Sequence, residues 1–175
     1  MEIIAAENFC PDFESHKKTA DAANYSTINF GASTYPGFSL GLTHWAYKRI
    51  SEIVGFEAVP CLDYFRKYER GMHQDTFVHS DRGIAEYTAV LSLRNDNGAL
   101  AFWNHKNGED RPLEGHDYRT EGLDESKWIM THKFVLKENL CVIYPADLFH
   151  SRYPKDWTED YARHIQVFFF NRRKR

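Results

Sequence analysis

The sequence predicts a mainly β protein, folded as a sandwich or barrel and flanked by helical structure at its N-terminus. From Val59 onward, short runs of β-branched and aromatic residues are separated by Gly, Asn, Asp and Pro, which is typical of closely spaced strands. Aromatic residues make up 15% of the chain, as expected for strands that enclose a lined pocket. With 175 residues, the chain is expected to form one domain with a sizeable core.

Residues 1–58 are predicted to support this core with helix and loop. The segment 43–55 has apolar residues at helical spacing, with Thr43 able to cap its start and Gly55 able to end it. The preceding segment 31–37 is rich in Gly, Ser and Pro, which indicates a turn. An amphipathic helix is therefore expected just before the β core begins.

The β core itself is predicted over residues 59–171. Residues 95–98, with the sequence Asn-Asp-Asn-Gly, are predicted to be a hairpin turn between two strands. The segment 104–127 is long, polar and rich in turn residues, which predicts an inserted lid over one mouth of the barrel. Strands are expected at residues 62–68, 76–79, 87–94, 99–103, 128–136, 140–144, 148–152 and 162–171.

Composition and charge narrow the expected partners and surroundings. A net charge of −3 gives no electrostatic reason to expect nucleic-acid binding, and no apolar run approaches the ~18 residues that cross a bilayer. The residues after Met1 lack the basic start of a signal peptide. Cys10, Cys61 and Cys141 are odd in number and lack metal-site spacing, so a reduced, cytoplasmic protein is expected.

The clearest candidate site is a set of metal ligands, His79-Ser80-Asp81 together with His150. Two imidazoles and one carboxylate can hold one side of a metal and leave the opposite side open, which is the facial triad of non-haem iron enzymes. Zinc hydrolases also keep open positions, although they more often use three His, or two His with Glu. Side chains at i and i+2 of an extended segment project to one side, so His79 and Asp81 can reach one ion.

A second His-x-Asp string, His73-Gln74-Asp75, competes for the same role. His73 lies where the chain turns after Gly71, whereas His79 ends a predicted strand and Asp81 falls in the adjoining turn. The pair His79 and Asp81 is therefore favoured. The distal half strengthens this choice, because an apolar strand ends at Tyr144-Pro145 and a second apolar stretch then delivers His150.

Arg163 follows His150 by 13 residues and indicates a second function for the site. A guanidinium group binds a carboxylate in bidentate fashion, with a geometry that lysine cannot reproduce. A metal site with an attached carboxylate clamp is a reason to expect 2-oxoglutarate as a ligand.

These motifs, taken in order, resemble those of the Fe(II)/2-oxoglutarate-dependent oxygenase superfamily, among its short, single-domain, prolyl-hydroxylase-like members. The resemblance extends from about residue 64 to residue 170 and assigns no motif to residues 1–60 or 104–127. It implies a double-stranded β-helix, a cupin-like jelly roll, for the predicted core. The motifs that carry it are residues 68–71 leading to 79–81, the strands 90–95 and 98–103, the distal motif 142–150, and Arg163.

The resemblance implies roles for residues around the metal. His79, Asp81 and His150 would bind iron, and Arg163 would pair with the distal carboxylate of 2-oxoglutarate. The expected cofactors are therefore Fe(II), 2-oxoglutarate as cosubstrate, and O2.

Other residues would complete the cosubstrate pocket. Tyr68 and Ser92 occupy positions that often line it in the family. One departure is Ile165, because the family often has Ser or Thr two positions after the arginine. A different hydroxyl group, that of Tyr68 or Tyr144, would then have to take its place.

The implied reaction is hydroxylation of a C–H bond in a small molecule, amino acid or peptide, with release of succinate and CO2. Asp81 favours this outcome, since related halogenases have a small residue at this position. On the substrate side, Arg152 would be a rival carboxylate clamp or a substrate contact, and Trp103 would belong to the lid. Two other interpretations stay open: a cupin-like metal-dependent enzyme that does not use 2-oxoglutarate, and a non-catalytic jelly-roll binding module.

Overall fold

The computed structural model describes residues 2–30, 33–41, 43–72, 76–95 and 97–174. Two short 3₁₀ helices, Glu121–Leu123 and Glu125–Lys127, precede β7. The helices are α1 (Phe13–Ala22) and α2 (His44–Val54), and the strands are β1 (Ile4–Ala6), β2 (Ser26–Phe30), β3 (Ser33–Gly41), β4 (Ala58–Tyr68), β5 (Tyr87–Ser92), β6 (Ala99–His105), β7 (Trp128–Val135), β8 (Cys141–Pro145), β9 (His150–Tyr153) and β10 (Arg163–Arg172).

The strands form two antiparallel sheets that enclose a common core. The larger sheet has seven strands in the order β1-β8-β5-β10-β4-β3-β2, and the smaller has three in the order β7-β6-β9. Apolar side chains from both sheets meet between them, among them Leu100 and Phe102 of the smaller sheet and Val142, Val167 and Phe169 of the larger. The mainly β, two-sheet architecture predicted from the sequence is therefore confirmed.

Strand β10 is buried on both faces, which explains its run of three phenylalanines. Val167 and Phe169 point into the core between the sheets, whereas Phe168 and Phe170 point outward to a second cluster. Helix α2 covers this outer cluster with Ala46, Tyr47 and Ile50, among other residues. The alternation of side chains along an extended strand therefore stabilises two layers at once.

Helix α2 confirms the prediction for residues 43–55, with one change at its N-terminus. Gly55 ends the helix in the left-handed conformation and its N–H donates to the Ser51 carbonyl. Thr43 is at the N-cap position, but its side chain does not cap the helix; its hydroxyl accepts from Gln166 Nε2 instead. No helix within the described residues is long and apolar enough to cross a bilayer.

The N-terminal segment differs from the predicted helical and loop support, because residues 1–58 also supply β1, β2 and β3 to the larger sheet. The predicted turn around Pro36 and Gly37 is an irregularity inside β3, where the β2–β3 register shifts between Ser26 and Ile28. A bulge of this kind accommodates a proline, which cannot donate to the ladder. Gly37 has φ +74°, and a Cβ there would lie 2.0 Å from the Lys67 carbonyl oxygen.

The predicted hairpin at residues 95–98 is wrong in its pairing. Asn97 has a positive φ of 55°, as a tight turn requires, and Asp96 lies outside the described residues. The chain does turn here, but it passes from β5 in the larger sheet to β6 in the smaller one. The two strands therefore do not pair with each other.

The segment 104–127 lies behind the smaller sheet. Its Tyr118 packs in a cluster with Trp103, Trp128 and Phe149, on the face of β6 opposite to Phe102. The Asp110 carbonyl accepts the N–H of Phe149. This placement corrects the prediction of a lid over one mouth of the barrel, because the segment buries its aromatic side chain against the outside of the sheet.

Candidate metal centre

The fold brings His79, Asp81 and His150 together. One potential ligand atom of each lies within 4.8 Å of the other two. Asp81 Oδ2 is 3.2 Å from His150 Nε2, and Asp81 Oδ1 is 3.7 Å from His79 Nε2. The competing string at residues 73–75 lies outside the described part of the chain.

Backbone pairing sets the distance between the two histidines. His79 N–H donates to the His150 carbonyl at 3.0 Å, and His150 N–H donates to the His79 carbonyl at 2.9 Å. The strand predicted at residues 76–79 is thus a single β-bridge, because the neighbouring Val78 N–H donates instead to Gly122. Asp81 is held separately, by its own N–H donating to the Ala146 carbonyl at 2.9 Å.

The rings of both histidines are oriented by carbonyl groups two residues earlier in the chain. His79 Nδ1 lies 2.8 Å from the Phe77 carbonyl oxygen, and His150 Nδ1 lies 2.8 Å from the Leu148 carbonyl oxygen. A carbonyl can only accept, so each Nδ1 carries a hydrogen and each Nε2 is the atom turned toward the centre. Both imidazoles are therefore oriented to bind a metal through Nε2.

The charges of the centre favour an ionised carboxylate between the imidazoles. Burial raises the pKa of Asp81, but the charge of His150 and its hydrogen bond outweigh burial, so the pKa falls below its usual value. Burial and then the positive charge of His150 lower the pKa of His79 to about 4. Burial also opposes charging of His150, yet the adjacent Asp81 raises its pKa overall.

This donor set fits a ferrous ion with open coordination positions. It offers two imidazole nitrogens and one carboxylate, and the group contains no fourth His, Cys, Asp or Glu ligand within the described residues. A closed structural zinc site would require four protein ligands. The three ligands border a cavity of about 100 Å³, so the remaining positions of a bound ion would face that cavity.

Three of the other predicted site residues line the same cavity: Arg163, Tyr68 and Arg152. Arg163 is 3% exposed, and its Nη2 donates to the Ala99 carbonyl at 3.1 Å. It is paired with Tyr68 across β10 and β4. The Tyr68 hydroxyl donates to the Met72 carbonyl at 2.7 Å.

Two predicted site residues, Ser92 and Trp103, are not among those that line the cavity. The Ser92 hydroxyl donates to the Arg94 carbonyl at 2.8 Å. Trp103 points to the outer face of β6, where its Nε1 donates to Ser151 Oγ at 2.9 Å. Alternation along β6 explains this position, because its neighbour Phe102 takes the inner face. Trp103 therefore supports the smaller sheet from behind.

The structure adds cavity residues that the sequence did not single out. Tyr64 and Arg66 line the cavity alongside Tyr68, since every second residue of β4 faces inward. This period-2 signal was present in the sequence, but the inward face could not be chosen without the position of the sheet. Burial, and after it the charge of Asp81, raise the pKa of Tyr64 and of Tyr144, so both remain neutral hydroxyl groups.

The cavity wall also includes Ile165, the position at which the family often has a hydroxyl-bearing residue. Tyr68 and Tyr144, the two hydroxyl partners suggested by the sequence, both line the cavity. They lie on β4 and β8, on opposite sides of β10 in the larger sheet.

Among solved structures, the two-sheet fold is similar to that of several 2-oxoglutarate-dependent enzymes. HygX from Streptomyces hygroscopicus, solved with nickel, 2-oxoglutarate and hygromycin B, matches with a TM-score of 0.62 and 11% identity, over 95% of this chain and 81% of that one. The non-haem α-ketoglutarate-dependent epimerase SnoN, from nogalamycin biosynthesis, matches with a TM-score of 0.61 and 11% identity, over 95% of this chain and 74% of that one.

A prolyl-4-hydroxylase from Pseudomonas putida is similar over more of its own length. Its TM-score is 0.57 at 14% identity, over 98% of this chain and 93% of that one. No protein-family model and no curated protein matches the sequence. The jelly roll that the resemblance implied is therefore confirmed as a fold, and the chemistry has to be argued from the site.

Proposed function

We propose that the protein is a non-haem Fe(II)- and 2-oxoglutarate-dependent dioxygenase that hydroxylates a C–H bond of a small molecule, amino acid or peptide. The observation that carries this proposal is one cavity that holds both a facial His-Asp-His set and a buried arginine, Arg163. Other metal-dependent jelly-roll enzymes need the ligands but not a buried carboxylate clamp.

Each part of the cavity has a distinct task in this reaction. His79, Asp81 and His150 would hold iron from one side, with both imidazoles already oriented. When bound, iron and 2-oxoglutarate supply the oxidising chemistry, which consumes O2 and releases succinate and CO2. Arg163 would orient the cosubstrate by pairing with its distal carboxylate. Val90, Leu100, Ile165 and Val167 give the cavity an apolar wall that excludes water.

Asp81 is the reason to propose hydroxylation over halogenation. Its carboxylate is low in pKa and points at both imidazoles, so it would occupy a coordination position of the metal. That position is then closed to a halide.

The proposal is tested by adding Fe(II) and 2-oxoglutarate to the protein without oxygen and recording the weak visible charge-transfer band of the chelate. We expect the band in the natural protein and its loss in Asp81→Ala. In Arg163→Gln the band should need about 100-fold more 2-oxoglutarate, because a buried ion pair is lost. Succinate formation in air, across a panel of candidate compounds, would then narrow the substrate.

The exposed arginine Arg70, which pairs with Asp160 at the surface, provides a matched control. Arg70→Gln should bind 2-oxoglutarate like the natural protein. Absence of the band in folded natural protein would refute the proposal. A band that responds equally to Arg163→Gln and Arg70→Gln would refute the role of Arg163.

A further inference from the structure

The cavity carries more positive charge than a metal centre with one cosubstrate needs. Arg66, Arg152 and Arg163 all line it, and Asp81 is the one acidic side chain among the described lining residues. Arginine stays protonated in proteins, so this charge cannot be removed by loss of a proton.

The proposed iron and cosubstrate would leave the excess in place. The two positive charges of a ferrous ion match the two negative charges of 2-oxoglutarate, and Asp81 offsets one of the three guanidinium groups. Among the described lining residues, this leaves two guanidinium charges. A cavity lined by one sign of charge raises the local concentration of ligands of the opposite sign.

Arg66 is positioned by aromatic rings. Its guanidinium carbon lies 4.7 Å from the ring centroid of Phe38 and 5.8 Å from that of Tyr35. Stacking engages the flat face of a guanidinium group, whereas the N–H groups that bind carboxylate or phosphate lie in its plane. The rings from β3 therefore orient Arg66 through the flat face of its guanidinium group.

Arg152 is positioned by the backbone. Its Nε donates to the Lys155 carbonyl at 3.0 Å and its Nη1 to the Thr76 carbonyl at 2.8 Å. Its guanidinium carbon also lies 4.9 Å from the ring centroid of Tyr68. These neutral groups orient the guanidinium. Burial lowers the pKa of Arg152, and Tyr68 and then the negative charge of Asp156 oppose this shift. A pre-oriented side chain loses little conformational entropy when it binds a ligand.

Arg66 and Arg152 are close enough to affect each other. Burial lowers the pKa of Arg66, Tyr64 opposes this effect, and the positive charge of Arg152 adds to it. Two like charges in a partly desolvated wall repel each other. A single anion that contacts both would remove this repulsion.

We propose that the substrate carries an anionic group, a carboxylate or a phosphate, which Arg66 and Arg152 bind at the wall of the cavity. This inference rests on the proposed function, since it assigns Arg163 to the cosubstrate. It defines the substrate class by charge and makes Arg66 and Arg152 residues that determine specificity.

The test uses the full chain loaded with Fe(II) and saturating 2-oxoglutarate without oxygen, and measures binding by calorimetric titration. The probes are two matched pairs, glycerol 3-phosphate against glycerol and N-acetylglycine against N-acetylglycinamide. The anionic member of at least one pair should bind about tenfold or more tightly than its neutral partner. The pair that shows the larger ratio distinguishes phosphate from carboxylate.

Substitutions assign the preference to the two arginines. Arg66→Gln and Arg152→Gln should each abolish most of it, and Arg66→Lys should retain part of it, because charge is kept. The control Arg70→Gln, at an exposed position, should leave the preference intact. The visible band, recorded on the same samples, shows that each variant is folded and binds its cosubstrate.

Equal affinity within both pairs, or no binding of either anion up to about 50 mM, would overturn the inference while the band persists. It would also be overturned if Arg66→Gln weakened 2-oxoglutarate binding as strongly as Arg163→Gln, because Arg66 would then serve the cosubstrate. Failure of the proposed function would give a different result, because the visible charge-transfer band itself would then be missing.

Discussion

One backbone carbonyl group orients each histidine of the candidate metal centre. The Phe77 and Leu148 oxygens each accept from Nδ1 of His79 and His150, so both rings already turn Nε2 toward the centre. Sequence reasoning found both histidines and Asp81 because spacing and residue type are visible in the chain. It could not identify the two carbonyl groups, because every residue has a backbone carbonyl whatever its side chain.

His164 lies next to Arg163 on β10, and its side chain points to the opposite face of the strand. It is fully buried, with Nε2 2.5 Å from the Tyr25 hydroxyl and Nδ1 3.5 Å from Asp21. Burial, and then the positive charge of Lys67, lower its pKa to about 4, while Asp21 opposes the shift and Arg94 adds to it. The folded protein therefore holds this ring neutral.

A pH-dependent stability follows from His164. Because its folded pKa lies below the unfolded value near 6.5, its contribution is complete above about pH 6.5 and is lost as the pH falls toward 4. The loss should be about 3 kcal/mol. Urea unfolding of the natural protein and of His164→Gln between these pH values should show a shallower decline in the variant.

Other groups titrate in the same range, so the difference between the two proteins is the quantity of interest. The exposed His132 serves as a control, and His132→Gln should follow the natural protein. Parallel curves for His164→Gln and the natural protein would contradict the prediction.

Among the elements, the 3₁₀ helix Glu121–Leu123 acts as a support for the metal centre. The Gly122 carbonyl accepts the N–H of Val78 at 3.0 Å, one residue before His79. A Cβ at Gly122 would lie 2.2 Å from the Val78 carbonyl oxygen, so the two backbones pack as closely as glycine allows. Through this contact the segment 104–127 supports the backbone next to His79.

Gly122→Ala should displace the backbone at Val78 and with it His79. We expect unfolding to become easier by about 1–3 kcal/mol and metal affinity to fall about tenfold or more. Titration with Co(II), followed by its visible spectrum, measures the affinity, and urea unfolding measures the stability.

The matched control for this substitution is Gly41→Ala. A Cβ at Gly41 would meet its nearest atom, Asp63 Oδ1, at 3.7 Å, an ordinary contact. Both affinity and stability should therefore stay close to natural values. Gly122→Ala with natural metal affinity would show that the segment does not support the centre.

Elements with a clear hydrophobic period were predicted well, whereas elements with an irregular backbone were not. Helix α2 has both an apolar face and a C-terminal glycine, and it was found at its correct bounds. Strand β3 was taken for a turn because Pro36 and Gly37 are turn residues in most contexts. Only pairing with β2 and β4 shows that these residues form a bulge within a strand.

In the whole molecule, ligands from distant parts of the sequence meet only after folding. His150 follows His79 by 71 residues, and the bridge between them joins the loop before β5 to β9. Metal and cosubstrate should therefore bind the folded state alone and stabilise it.

Loading with Fe(II) and 2-oxoglutarate, each at about 100 times its dissociation constant, should raise the melting temperature by about 10–20 °C. Thermal unfolding without oxygen, followed by circular dichroism, measures the shift. A chelator should reverse it, and Asp81→Ala should not show it. An equal shift in Asp81→Ala would place the bound metal elsewhere.

The sequence by itself determined the strand-rich fold and helix α2, and it singled out the three candidate metal ligands and Arg163. These features depend on local period and on residue types whose chemistry is specific. The tertiary structure decided which inward-facing side chains share the cavity: Tyr64 and Arg66 line it, and Ser92 and Trp103 are not among its lining residues. It also decided where the segment 104–127 lies. Such choices depend on which strands pair and which faces meet, and those long-range contacts are set by packing of the whole chain.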